Sequence, residues 1–178
     1  MIVSRHAWWI GAVAVAVVAL ALGIWFGQPG PVDPSPVAQP ATAILGVTLP
    51  DPEGQDQALA QWKGKVLVVN FWATWCAPCR EEMPMFVRLQ SAHGAKGVQF
   101  VGIAVDNVDK VRQFASDLKL NYPTLIGGYG AMELSKSLGN TIMALPFTVI
   151  VDRNGRVAHT QLGPLKEDQL NAILGNLS

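Results

Sequence analysis

The sequence has 178 residues, enough for one domain of ordinary size with an appendage. Thirteen Lys and Arg balance thirteen Asp and Glu, so the basic footprint of a nucleic-acid binder is missing and no nucleic-acid partner is expected. The two cysteines, Cys76 and Cys79, stand too close together to staple distant parts of a fold, which excludes a disulfide-built scaffold.

The chain opens with Arg5 and His6, followed by an uncharged, almost wholly apolar run from Trp8 to Phe26. Its roughly 19 residues are enough to cross a bilayer core as a helix. Trp8 and Trp9 stand at one end and Trp25 at the other, where an interfacial aromatic belt would sit. Arg5 precedes the run and no Lys or Arg follows until Lys63, so the positive-inside rule puts the N-terminus in the cytoplasm and the rest outside. A cleaved signal peptide is the alternative. Its small-residue signal, Ala41-Thr42-Ala43, lies about 15 residues past the apolar run, too far for an ordinary cleavage site. Residues 1–27 are thus expected to be a cytoplasmic N-terminus and transmembrane anchor. Residues 28–41, with Pro29, Pro31, Pro34, Pro36 and Pro40, are expected to be an extended linker, and 42–178 the globular domain.

Within that domain Ile44 to Leu49 alternates apolar and small residues, predicting a short strand. Asp51-Pro52-Glu53-Gly54 is a turn signal, with Gln55 to Ala60 returning as a second strand or a loop. Val66 to Phe71 is the best buried-strand candidate. It ends in Trp75-Cys76-Ala77-Pro78-Cys79, after which a helical pattern begins at once. A helix starting near Cys76 places Cys79 one turn on and Glu82 one turn further, all on one face. Cys76 then sits among unpaired backbone N–H groups at the positive end of the helix dipole, which favours its thiolate. Pro78 suits the first turn, where its missing N–H costs little. Glu82 beside the inner cysteine is placed to accept or return its proton. Pro84 cannot donate to the carbonyl of Arg80 and predicts a kink.

Gly94 and Gly97 bracket the end of that helix, and Val98 to Val105 reads as another strand. Asp106, Asn107 and Asp109 offer caps for a helix carrying Val111, Phe114, Ala115 and Leu118. Thr124 to Ile126 is a short strand, and Ala131 to Leu138 a short helix ended by Gly139. Phe147 to Val151 and Arg156 to Gln161 flank Asp152-Arg153-Asn154-Gly155, a hairpin signal in which Asn-Gly supplies positive φ. Asp168 to Leu174 closes the chain with Leu170, Ile173 and Leu174 on one helix face. This order predicts an α/β layer fold with a mixed sheet.

The stretch Asn70-Phe71-Trp72-Ala73-Thr74-Trp75-Cys76-Ala77-Pro78-Cys79-Arg80-Glu81-Glu82-Met83-Pro84 resembles the thioredoxin superfamily. More narrowly, it is similar to the membrane-anchored, periplasm-facing proteins of the TlpA/ResA type. The resemblance covers about residues 42 to 178. It implies a thioredoxin-like mixed sheet flanked by helices, with residues 123 to 139 as a central insertion, preceded by one N-terminal transmembrane helix. It implies a redox-active Cys76–Cys79 disulfide within a motif completed by Trp75, Ala77 and Pro78, and no other cofactor. It also implies a cis-proline at Pro146, packed opposite that disulfide and exposing the backbone of Leu145 to an extended substrate. Cytoplasmic thioredoxins carry a buried Asp where this chain has Asn70. The TlpA/ResA branch carries an acid at the position of Glu82, in agreement with the helix-face argument.

The implied activity is thiol–disulfide exchange on the outer face of the cytoplasmic membrane, in the periplasm or extracytoplasmic space. The expected direction is reduction of disulfides in apocytochrome c or other cell-envelope proteins, during cytochrome c maturation or oxidase assembly. The expected partners are a protein substrate with a disulfide or thiols and a membrane electron donor of the thiol-transfer type. One rival is the same chemistry reversed, a disulfide-forming oxidase, because Ala77-Pro78 does not fix a potential. Another is a copper chaperone using both thiolates as soft ligands, although no Met or His is placed to complete such a site. A zinc site would need two further ligands, and His6, His93 and His159 are scattered, so no metal is expected.

Overall fold

The computed structural model describes residues 41–177. The anchor expected over 1–27 and the linker expected over 28–41 lie outside the described residues, apart from Ala41. Among the described residues no helix is long and apolar enough to cross a membrane.

The described residues open with a short helix, α1 (Thr42–Leu45), whose last two residues fall in the strand predicted over Ile44 to Leu49. The N–H groups of Leu45 and Gly46 donate back to the carbonyls of Ala41 and Thr42, closing the turn locally and turning Ile44 into the core. A two-stranded antiparallel ribbon follows, β1 (Thr48–Pro50) and β2 (Asp56–Ala58). Its turn is stitched by the Asp51 carboxylate, which accepts from the N–H groups of Glu53 and Gln55, while Gly54 takes φ +82°.

The main sheet has five strands in the order β5-β4-β3-β6-β7. These are β3 (Val66–Trp72), β4 (Val98–Ala104), β5 (Thr124–Ile126), β6 (Phe147–Val151) and β7 (Val157–Leu162). Strands β3, β4 and β5 run parallel, and β6 and β7 are added antiparallel. Helix α2 (Ala77–His93) follows β3, α3 (Val108–Asp117) follows β4, and α4 (Gly130–Ser137) follows β5. Helix α5 (Glu167–Leu177) follows the hairpin. The strand and helix expected around residues 123 to 139 are β5 and α4, and α2 continues through Pro84 to His93 as one element.

β3 is buried at every position because helices or loops cover both faces of the sheet, which is why it reads as an unbroken apolar run. Val66, Val68 and Trp72 pack with Met83, Phe86 and Leu89 of α2. Leu67, Val69 and Phe71 face the other way, toward Ile44, Leu59 and Trp62. Each fully buried side chain of this size contributes about 1.5–3 kcal/mol. Gly102 of β4 is in register with Asn70 and Thr124. A Cβ there would come within 2.8 Å of Trp72 Nε1 and 3.2 Å of Thr124 Oγ1, so glycine lets the indole lie against the strand.

The hairpin differs from its sequence reading in one respect. Only Gly155 has positive φ in the turn, because the Asp152 carboxylate accepts from the N–H groups of Asn154 and Arg156 and stitches the turn without a left-handed Asn154. The register shifts by a residue between Ile150 and Val151. The pairings also fix the two ends of the sheet. The C-terminal ends of β3, β4, β5 and β7 and the start of β6 share one end. The Asp152–Gly155 turn marks the other, where Ala41 N–H donates to the Gly155 carbonyl at 3.0 Å.

Candidate active site

The loop from the end of β3 to the start of α2 carries the cysteine pair. It is fixed before the helix begins. Val105 N–H bonds the Trp72 carbonyl, and Cys76 N–H bonds the Ala73 carbonyl at 3.2 Å. Thr74 donates to Asp106 Oδ2 through both its N–H and its hydroxyl. Burial pushes the Asp106 carboxyl up, but the bonds from Thr74 and Asn107 and the nearby charge of Lys110 outweigh it and hold the group below its usual range.

Cys76 is the N-cap residue of α2, in extended backbone conformation, with Pro78 in the first turn. Its Sγ accepts from the N–H of Cys79 at 3.3 Å, so a helix-terminal donor points at the sulfur. Cys76 and Cys79 are joined by a disulfide of 2.03 Å. Cys76 retains 6% exposure and Cys79 none, so a partner reaches the pair through Cys76. Trp75 is two-thirds exposed beside it, Ala77 is exposed and Pro78 half-buried.

Glu82 lies one turn beyond Cys79 and is buried, as the shared helix face requires. Its two oxygens have separate donors. Asn70 Nδ2 donates to Oε1 at 2.9 Å, and the N–H of Leu165, from the segment between β7 and α5, donates to Oε2 at 3.1 Å. Burial dominates these two bonds and raises the carboxyl to about 7, so it gains and loses a proton near neutral pH. Burial, with the charge of Glu82 adding to it, likewise holds the Tyr122 phenol well above its ordinary value.

Asn70 has a second contact. The same Nδ2 donates to Thr148 Oγ1 of β6 at 3.0 Å, tying the helix acid to the two central strands. The sequence marks Asn70 only as a departure from the thioredoxin pattern. Its partnership with Thr148 follows from their direct pairing across β3 and β6. Thr74, Asp106 and Leu165 were not singled out as site residues either. The first two are 32 positions apart, and Leu165 contributes through its backbone.

The Leu145–Pro146 bond is cis, as the thioredoxin resemblance implied. Pro146 is buried directly before β6, and its carbonyl accepts from Gly163 N–H. Phe147 pairs with Phe71, so Leu145 and Pro146 lie at the same end of the sheet as the loop leading to Cys76. Leu145 packs against the core cluster that contains both cysteines. The structure therefore gathers Trp75, Cys76, Ala77, Pro78, Cys79, Glu82, Leu145 and Pro146 at one end of the sheet.

Comparison with known proteins points the same way. The Redoxin family model matches residues 36–174. The thiol-disulfide oxidoreductase ResA of Bacillus thuringiensis subsp. konkukian is 33% identical over 129 residues, covering 72% of each chain. The sporulation thiol-disulfide oxidoreductase A of Bacillus subtilis is 27% identical over 160 residues, covering 88% of this chain and 92% of its own. Among solved structures, a thiol:disulfide interchange protein of the thioredoxin family from Chlorobium tepidum superposes with a TM-score of 0.68 at 28% identity. That match covers 74% of this chain and 92% of the other.

Proposed function

The chain belongs to the Redoxin family and is a thiol-disulfide oxidoreductase, and from that premise we propose that it works as a membrane-anchored reductase of cell-envelope proteins. The observation that carries the chemistry is the asymmetry of the pair: a partly accessible sulfur at a helix N-cap, with a wholly buried partner one turn behind it. In the dithiol form the Cys76 thiolate attacks one sulfur of a substrate disulfide. A mixed disulfide forms, and the other substrate sulfur leaves as a thiolate and takes up a proton. The Cys79 thiol then gives its proton to Glu82 and attacks Cys76 Sγ. The Cys76–Cys79 disulfide forms, the mixed disulfide breaks, and the second substrate sulfur leaves as a thiolate that takes up the proton Glu82 gives back. Two electrons pass from the protein to the substrate, and a thiol-transfer donor in the membrane returns them.

Leu145 supports substrate docking in extended form, because its main-chain N–H and C=O have no hydrogen-bond partner among the described residues. The apolar run from Trp8 to Phe26 supports an anchor in the cytoplasmic membrane, with the catalytic domain on the periplasmic or extracytoplasmic side. Reduction of apocytochrome c or of other envelope proteins during cytochrome c maturation or oxidase assembly is the task we assign to it.

Direction is tested by the reduction potential of the Cys76–Cys79 couple, measured against glutathione buffers. A value close to that of thioredoxin, about −270 mV, is expected. A value close to that of DsbA, about −120 mV, would make the protein a disulfide-forming oxidase instead.

A further inference from the structure

The end of the sheet opposite the disulfide gathers cations. Three segments meet there: 59–65 leads into β3, 93–97 leads into β4, and 152–156 joins β6 to β7. Val66 N–H donates to the Gly97 carbonyl at 2.9 Å, Leu67 pairs with Val151, and Arg153 Nη2 donates to the Lys96 carbonyl at 3.0 Å, so the three are tied together. Lys63, Lys65, Lys96, Arg153 and Arg156 are all exposed. The acid in these segments, Asp152, is paired with Arg156 at 2.9 Å. Lys63, Lys65, Lys96 and Arg153 form no ion pair among the described residues.

Composition does not force this arrangement. With Arg5 and Asp33 set aside, residues 41–177 hold twelve Lys and Arg and twelve Asp and Glu, so carboxylates enough for every cation stand elsewhere on the domain. Like charges held close together repel. The fold nevertheless fixes Arg153 beside Lys96. Its guanidinium lies over Gly97, where a Cβ would come within 2.7 Å of Nη1, and its partner there is a carbonyl rather than a carboxylate. Lys96 lies just past the C-terminus of α2, whose dipole favours a cation, but that accounts for Lys96 alone. An anionic surface laid across this end would offset the repulsion.

The course of the chain identifies that surface. Ala41 bonds Gly155 at 3.0 Å within the same cluster. Only the linker read over residues 28–41 separates this point from the apolar run that ends at Phe26. Its reach is at most about 50 Å. A bilayer holding that run is therefore in permanent reach of the cluster, at high effective concentration. Anionic headgroups attract basic residues that lie within about a Debye length of them.

We propose that Lys63, Lys65, Lys96 and Arg153 form a lipid-facing surface that seats the domain on anionic phospholipid headgroups, with the disulfide end turned away from the bilayer. This rests on the membrane-anchored reading and adds an orientation to it. The test reconstitutes the full chain in vesicles of phosphatidylcholine alone, and of phosphatidylcholine with about a third phosphatidylglycerol. A membrane-impermeant reagent acetylates exposed lysines, and mass spectrometry follows each site. Lys63, Lys65 and Lys96 are expected to react about fivefold more slowly in the anionic vesicles. Lys110 and Lys166, exposed at the disulfide end, should react equally in both. Salt at about 1 M, where the Debye length falls to about 3 Å, should abolish the difference. So should the combined change Lys63→Gln, Lys65→Gln and Arg153→Gln, read at Lys96, in a variant that still reduces oxidised glutathione at the parental rate. Equal rates at Lys63, Lys65 and Lys96 in the two vesicle types would overturn the lipid face. Loss of the chain from both vesicle types on flotation in high salt would remove the anchor instead, and the same comparison with vesicles added to the unanchored chain would still decide the face.

Discussion

Replacing Cys79 by serine is expected to end multiple turnover and to leave the protein held to its substrate through Cys76. The first half-reaction needs only the Cys76 thiolate, and the backbone N–H of residue 79 that points at Cys76 Sγ survives the change. The second half-reaction needs a sulfur one turn behind, and serine provides none. With no other thiol supplied, nothing takes the place of the buried Cys79 sulfur. Steady-state reduction of a protein disulfide should fall by several orders of magnitude, and a covalent adduct should accumulate to about one equivalent. The adduct should be dissolved by dithiothreitol. Cys76→Ser, tested alongside, should capture nothing. An adduct of equal yield through Cys79 in that second variant would reverse the assignment of outer and inner sulfur. Isolated from cells, the captured protein identifies the substrate.

Glu82→Gln is expected to have the second largest effect, and it separates chemistry from stability. With its carboxyl raised to about 7, Glu82 changes protonation where the exchange operates. Removing a proton acceptor of this kind slows the step it serves by about a hundredfold or more. The release of substrate from the mixed disulfide should slow to that extent, and the inflection near pH 7 in its rate should vanish. Stability moves in the other direction. Between about 4.5 and 7 the unfolded chain has lost the Glu82 proton while the folded protein keeps it, so folding stability falls as pH rises through that window. The fall amounts to about 3 kcal/mol at most. Glutamine carries no charge to bury but offers one acceptor oxygen where the carboxyl offers two, so the variant should lose the fall in stability between pH 4.5 and 7 in denaturant unfolding. A variant that exchanged at the parental rate, with its pH inflection intact, would show Glu82 to be an ordinary buried helix residue.

Much of the site was legible in the sequence because it is local. The run Val66 to Phe71 could hardly be anything but a strand covered on both faces. The three-residue steps from Cys76 to Cys79 to Glu82 are helix geometry, and they place all three residues where the structure has them. What could not be read depends on register or on the backbone. Asn70 meets Thr148 because β6 pairs antiparallel with β3, 78 positions away, and no local pattern encodes that pairing. The second donor to Glu82 is a main-chain N–H, which any residue at position 165 other than proline would supply. The strand expected over Ile44 to Leu49 forms only from Thr48 onward, because six residues do not separate a helical period from an alternating one. The cis bond at Pro146 came from family resemblance, since nothing in the residues around it distinguishes it from a trans proline at a strand entrance.

The chemistry throughout depends on Cys76 ionising first, at the start of α2, with Cys79 protonated behind it. The direct measurement is the pH titration of thiolate absorbance near 240 nm in the reduced protein, repeated in Cys79→Ser so that the signal belongs to one sulfur. Half-ionisation at least one pH unit below the value of about 8.5 for free cysteine is the expected result. Half-ionisation at or above that value in both proteins would contradict it.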